Sequence, residues 1–227
     1  MKTLIFSDTH LTCKFDEDKF IFLRKIIDSS DQVIINGDFW DAWFTNFDNF
    51  VTSKWNKLFL LLLKRKAIYL YGNHDPAEKC DSRVNLFSAK TGKSYDLIFP
   101  PKIYHIEHGH KILKGKRSKF LETYGLLLDK VDRSSVKKIF YNFLHFLEYL
   151  GYKLIGTSLM TESKVAKRSN EIIKQTNQGK RFLICGDTHC AEMDINGLFA
   201  NSGCINYGGA SFLLINDGEI TLHRESY

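Results

Sequence analysis

Carboxylates, imidazoles and one amide recur in five short polar blocks along this chain of 227 residues. The blocks read Asp8-Thr9-His10, Gly37-Asp38-Phe39-Trp40-Asp41, Gly72-Asn73-His74-Asp75, His108-Gly109-His110 and Gly186-Asp187-Thr188-His189. Oxygen and imidazole donors of this kind suit borderline divalent cations. A pair of such ions with open positions acidifies water and polarises phosphoryl oxygens. The chemistry is therefore that of metal-assisted hydrolysis. Any one of these histidines alone reads as an ordinary core or surface residue. Their joint order carries the reading.

Within the blocks, the residue types divide the work. Gly37 lets the chain turn sharply, so that Asp38 projects over two ions. Asn73 offers a neutral carbonyl oxygen, and His74 beside it is placed to touch a substrate. Asp75 is expected to orient the His74 ring, as carboxylates behind an imidazole commonly do. His108 and His189 add nitrogens from later in the chain.

Each block follows an apolar run that reads as a buried strand: residues 3–7, 33–36, 67–71, 102–107 and 181–185. Between the first two, residues 16–29 place Phe20, Leu23, Ile26 and Ile27 at helical spacing behind an acidic first turn. Residues 55–66 read as a second helix ending in Lys64, Arg65 and Lys66, where cations suit the helix dipole. Strand and helix in alternation predict parallel strands with right-handed crossovers. Ligands then bind at the carboxyl ends of the strands.

Residues 114–179 break this rhythm and read as a helical insertion within one domain spanning 1–227. Phe120, Tyr124, Leu127 and Val131 mark one apolar face. A broader face carries Val136, Ile139, Phe140, Phe143, Leu144 and Leu147, with Ser134 and Ser135 as caps. Residues 161–178 make a third, more polar helix. So apolar a helix as 136–150 either packs on the core or forms a cap with a greasy inner wall over the site. Near the end, Asn216-Asp217-Gly218 between short apolar runs is a hairpin signal.

Composition narrows the class. With 44% hydrophobic residues the chain can bury one sizeable core. No run approaches the about 20 apolar residues that span a bilayer, and no signal peptide is legible, so a cytoplasmic location is expected. Five cysteines, an odd number with irregular spacing, read as reduced thiols, and Cys185 and Cys190 as structural. Residues 111–181 carry 16 Lys and Arg against 6 Asp and Glu, while the rest carries 16 against 20. Such a basic segment either solvates helices or holds an anionic substrate beside the acidic site.

The order D-x-H, GD-x-x-D, GNH-D, H-G-H and G-x-T-H resembles the calcineurin-like metallophosphoesterase superfamily, from Thr3 to about Glu225. The resemblance implies an α/β, four-layer αββα sandwich with a helical cap insertion and two divalent ions, Mn first, with Fe, Zn or Mg as alternatives. It implies that Asp8, His10, Asp38 and His189 hold one ion, and that Asp38, Asn73, His108 and Asp187 hold the other. His74 with Asn73 and Asp75 would be catalytic, His110 would contact the phosphate, and Asp41 would support the ligands. The run Gly37 to Trp43 and the insertion are similar to UDP-2,3-diacylglucosamine diphosphatases. That branch implies a small-molecule or lipid-linked phosphorylated substrate, and peripheral contact with the inner membrane surface through the basic insertion. Two departures stand out. The branch usually has Arg at His74, and the superfamily has His at Asp187. A nuclease is the rival enzyme reading, with Tyr124, Tyr141 and Tyr149 as stacking residues. A scaffold without catalysis is the third, but it should have lost several ligands rather than one.

Overall fold

The computed structural model describes residues 1–114, 163–177 and 181–227. In chain order the strands are β1 (Lys2–Phe6), β2 (Gln32–Asn36), β3 (Ile68–Leu70), β4 (Lys90–Gly92), β5 (Ser94–Phe99), β6 (Lys102–Glu107), β7 (Phe182–Cys185), β8 (Glu192–Asp194), β9 (Phe199–Asn201), β10 (Ile205–Asn206), β11 (Gly209–Asn216) and β12 (Glu219–Ser226). The helices are α1 (Glu17–Asp28), α2 (Phe47–Thr52), α3 (Phe59–Lys64), α4 (His110–Leu113) and α5 (Lys164–Asn177).

Two sheets result. The first runs β10-β11-β1-β2-β3-β4, with β12 also paired to β11. Its strands β1 to β4 are mutually parallel, whereas β11 joins β1 antiparallel. The second runs β5-β6-β7-β9-β8, with β6, β7 and β9 parallel. Alternation along the central strands decides the layering. Leu4, Phe6, Val33 and Ile35 pack with α1 and α3, while Ile5 and Ile34 face the other sheet. There they meet Leu97, Tyr104, Ile106 and Ile184. On the far side Leu183, Cys185 and Phe199 are covered by Leu113 and Ile173 of α4 and α5. The order is helices, sheet, sheet, helices: the four-layer arrangement expected. Strands buried on both faces explain why the sequence reads there as continuous apolar runs.

The expected helix at 16–29 is α1. Asp16 caps it by accepting from the Lys19 amide at 3.0 Å, and Glu17 and Asp18 fill its first turn. Its buried face includes Phe22 and Lys19, whereas Phe20 is only partly covered. The single helix expected at 55–66 is in fact two pieces, preceded by the separate helix α2. Ser53 adopts an extended conformation after α2, and its hydroxyl accepts from the Trp55 amide to start a 3₁₀ turn at Lys54–Leu58, followed by α3. Trp55 is pinned by donating its indole N–H to the Thr12 carbonyl at 2.9 Å. The hairpin forms as expected, β11 and β12 being joined through Asp217 and Gly218 with Asn216 opposite Glu219.

The third helix expected in 114–179 corresponds to α5. The two apolar helices around Phe120 to Val131 and Val136 to Leu147 lie outside the described residues. Among the described residues, no helix is long and apolar enough to cross a membrane.

Candidate metal centre

The five polar blocks occupy the carboxyl ends of β1, β2, β3, β6 and β7, drawn from both sheets. Backbone bonds stitch them together. The Asp8 amide donates to the Gly37 carbonyl at 3.1 Å, and the Thr9 and His10 amides both donate to the Asp38 carbonyl at 3.0 Å. Gly186 donates to the His108 carbonyl at 3.0 Å, and Ala42 to that of His74 at 2.9 Å. Two glycines permit this crowding. Gly37 has φ +84°, and a Cβ there would lie 2.5 Å from His108 Nδ1. A Cβ at Gly72 would overlap the Asp38 carboxylate. Asp8, His10, Asp38, Asp187 and His189 all hold left-handed backbone, with φ between 45° and 59°. Each such residue costs on the order of 1 kcal/mol, a strain that concentrates at functional sites.

The side chains converge. Asp8 Oδ1 lies 3.2 Å from His189 Nε2 and 3.9 Å from His10 Nε2, and the two imidazole nitrogens are 3.2 Å apart. His108 Nε2 lies 3.2 Å from Asp38 Oδ2 and 3.8 Å from Asp187 Oδ1. Among the described residues, three groups have mutually close donor atoms: Asp8, His10 and His189; Asp8, Asp38 and His108; and His10, Asp41 and His74. Asp8 is the carboxylate common to the first two. Asp187 faces the second group, and its amide donates to Asp8 Oδ2 at 3.2 Å.

The donor set fits cations on a further observation. Among the described residues, Asp8 Oδ1, Asn73 Oδ1 and His108 Nε2 are buried with no hydrogen-bond partner, the first and last meeting only ion-pair contacts, the nearest to His189 and Asp38 at 3.2 Å. Buried polar atoms are rarely left so, because each forfeits its hydration. The ring orientations agree. His108 Nδ1 sits 2.7 Å from the Asn36 carbonyl, which only accepts, so Nδ1 donates there and Nε2 is the nitrogen left to a cation once its proton is displaced. His10 Nδ1 is fixed in the same way, 3.2 Å from Asp41 Oδ2.

The calcineurin-like phosphoesterase family model matches residues 1–160. The chain belongs to this family. Among solved structures, the chain is similar to Vps29 from Entamoeba histolytica complexed with Zn²⁺. That pair shares 14% identity with TM-score 0.44, over 100% of this chain and 99% of that one. It is similar to the E. coli phosphoesterase YfcE at 16% identity and TM-score 0.42, over 100% and 99% of the two chains. It is also similar to the Pseudomonas putida nuclease MPE at 20% identity and TM-score 0.33, over 47% and 53%. No curated protein matches it.

The charges in the site act strongly on one another. Burial acts against the charged form of each group, yet Asp38 is held well below the carboxylate range by His108 and then His74. Burial likewise opposes protonation of His108, but Asp38 and Asp8 raise it well above the usual imidazole value. His189 is raised too, against its burial, by Asp8. His10 goes the other way, lowered by burial and by the neighbouring His74. A metal-free centre therefore carries protons on imidazoles that a cation would displace.

His74 has a different partner from the one expected. Its Nδ1 lies 3.1 Å from Asp41 Oδ2, the same oxygen that meets His10. Burial lowers the His74 pKa, but Asp38 and then Asp41 outweigh it and push it up to about 9. Asp75 faces backbone instead: its carboxylate accepts from the amides of Gly72 at 2.7 Å, Phe39 at 2.7 Å and Asp38 at 3.0 Å. Asp75 thus ties the β2 and β3 loops together rather than orienting the His74 ring. Its burial, then the nearby Asp38, push its pKa up to about 7. His110 opens α4, its ring 5.5 Å from that of His108. Burial and then His108 push the His110 pKa down to about 4, and its Nδ1 has no partner among the described residues.

Two neighbours of the site escaped sequence reading. Trp43, 46% exposed, lays its ring 4.1 Å from that of His74. Buried Lys19 donates to the Thr9 carbonyl at 2.6 Å, between Asp8 and His10, and to Asn206 Oδ1 at 3.0 Å. The run Gly37 to Trp43 was a signal for the first. Nothing in the α1 pattern singles out Lys19 from the other lysines.

Proposed function

We propose that this protein hydrolyses a phosphate ester or pyrophosphate bond of a nucleotide-linked or lipid-linked small molecule. The observation that carries the reading is the convergence of the buried donor atoms Asp8 Oδ1, Asn73 Oδ1 and His108 Nε2 beside Asp38 and the facing His10 and His189 nitrogens. Asp8, His10, Asp38 and His189 would hold one divalent ion, and Asp38, Asn73, His108 and Asp187 a second, with Asp38 shared and Mn²⁺ the first choice. Two such ions supply Lewis-acid charge and make water at the site a better nucleophile at neutral pH.

The chain's own residues do the rest. His74, held by Asp41 and raised to about 9, stays protonated at neutral pH and donates to the leaving oxygen or a phosphoryl oxygen. His110, beside His108, would contact the phosphate. The half-exposed Trp43 offers an aromatic surface beside His74 for a base or an acyl group. The basic segment 111–181 attracts the anionic substrate and favours peripheral contact with an anionic membrane. A UDP-diacylglucosamine-like molecule combines these features.

The test is a substrate panel with purified protein, its metal content measured after loading with Mn²⁺ or Zn²⁺. The panel holds mononucleotides, UDP-sugars with and without acyl chains, cyclic dinucleotides, an aryl phosphate and single-stranded DNA. We expect metal-dependent release of a phosphorylated product, fastest on a pyrophosphate-linked substrate and lost on chelation. Preference for DNA would replace the small-molecule reading with that of a nuclease. No turnover on any substrate by metal-replete protein would remove the enzymatic reading.

A further inference from the structure

We infer that Asn170, Thr188 and Asn201 form a buried clamp that fixes the loop carrying Asp187 and His189, and thereby sets the affinity of the centre for its ions. Thr188 stands between these two residues, both of which hold left-handed backbone at φ 59°. A loop strained at two positions needs an external hold to keep its geometry. The hold comes from the Thr188 side chain. Its hydroxyl donates to Asn170 Oδ1 at 2.8 Å and accepts from the Cys190 amide at 3.3 Å. Asn201, at the end of β9, donates to the Gly186 carbonyl at 2.8 Å and to the Thr188 hydroxyl at 3.0 Å. Its own Oδ1 accepts from the Gly203 amide at 2.8 Å. Asn170, on α5, donates to the Cys190 carbonyl at 3.0 Å and to Glu192 Oε2 at 2.8 Å.

The loop is thus gripped at Gly186, Thr188 and Cys190 by side chains from a strand and from a helix. Asn170 and Asn201 are fully buried and Thr188 is 9% exposed, so water cannot substitute when one member is lost. A satisfied polar network in low dielectric specifies one arrangement, and breaking it strands its remaining members. The hold is also long-range. Asn170 belongs to α5, in the helix layer outside the second sheet, and this helix acts on the ligand loop through Thr188 and Cys190. The three are positioning residues, because none of them faces the ligand atoms.

This inference rests on the reading of the site as a metal centre, and the experiment separates the two. Mn²⁺ and Zn²⁺ are titrated by calorimetry into the metal-free full chain and into Thr188→Val, Thr188→Ser and Asn170→Leu, with melting of each metal-free protein recorded. Thr188→Val and Asn170→Leu should weaken binding by about 10–100-fold, the range seen when partners behind metal ligands are removed. Thr188→Ser, which keeps the hydroxyl, should restore wild-type binding. Thr188→Val exchanges one hydroxyl for a methyl group and decides the question if Asn170→Leu does not fold. Unchanged affinity in folded Thr188→Val, or equal weakening in Thr188→Ser, overturns the clamp while leaving the metal reading intact. Failure of the wild-type chain to take up either ion overturns the metal reading and the clamp with it.

Discussion

Asp41 and His74 form a partly buried ion pair, Oδ2 to Nδ1 at 3.1 Å, and the acid function proposed for the ring depends on it. Burial alone would favour neutral imidazole, and the carboxylates of Asp38 and Asp41 reverse that preference. In Asp41→Asn the second of these is gone, so the His74 pKa falls. The alkaline limb of the pH–rate profile reports loss of the acid's proton and should move to lower pH. Turnover near neutrality should drop about 10–100-fold, as for other partners behind a working imidazole. Asp41 also meets His10, so the profiles are compared at saturating metal. An alkaline limb that stays in place removes His74 as the acid.

Asp38→Asn and Asn73→Ala should each abolish turnover and leave the fold intact. Paired-ion catalysis needs both ions, and Asp38 is the ligand proposed to be shared. Metal content by mass spectrometry should fall in parallel with activity. Near-wild-type turnover in Asp38→Asn is incompatible with a two-ion site.

Asp187→His replaces a carboxylate, 3.8 Å from His108, by a neutral donor and leaves the centre one unit more positive. More positive charge lowers the pKa of water at the site, so the acidic limb should shift to lower pH. Mn²⁺ should lose ground to Zn²⁺ in the same variant, since imidazole suits zinc better. Should both the limb and the metal preference stay fixed, Asp187 is no ligand.

Lys19 gives a stability signature. Its pKa is lowered by burial, with Asp16 opposing, from 10.5 to about 8. Between those values the unfolded chain binds more protons than the folded one, so this residue's contribution to stability rises with pH. The penalty is fully present below about pH 8 and gone above about 10.5, a span of up to ~3 kcal/mol. Relative to Lys19→Met, the metal-free wild type should therefore gain stability in urea unfolding as pH rises from 7.5 to 10. A constant difference means that the ammonium is solvated.

The sequence announced the site better than its supports. Four of the five blocks were legible because each ends a strand buried on both faces, where Leu4-Ile5-Phe6 or Val33-Ile34-Ile35 leaves no polar residue to confuse the pattern; β6, before His108, is half exposed. Asp75 was misread because adjacency in sequence is a poor guide at a sharp turn. Neighbouring side chains diverge there, and Asp41, 33 positions away, reaches the ring instead. Phe47–Thr52 went unseen as a helix because six residues carry too little periodicity. The three-residue β4, β8 and β9 offer less still, and their pairing is a property of the sheet.

The left-handed backbone at Asp8, His10, Asp38, Asp187 and His189 has an evolutionary consequence. Outside glycine, that region of conformational space is entered most readily by Asn, Asp and His. Hard-oxygen and imidazole donors come from the same short alphabet. At these five positions the main chain therefore filters mutations before metal chemistry does, and both filters pass nearly the same letters. Drift there should exchange one ligand type for another, as His for Asp at 187, far more often than it erases a ligand through Val, Ile or Leu. A centre built in this way would change its ion preference over generations more easily than it would fall silent.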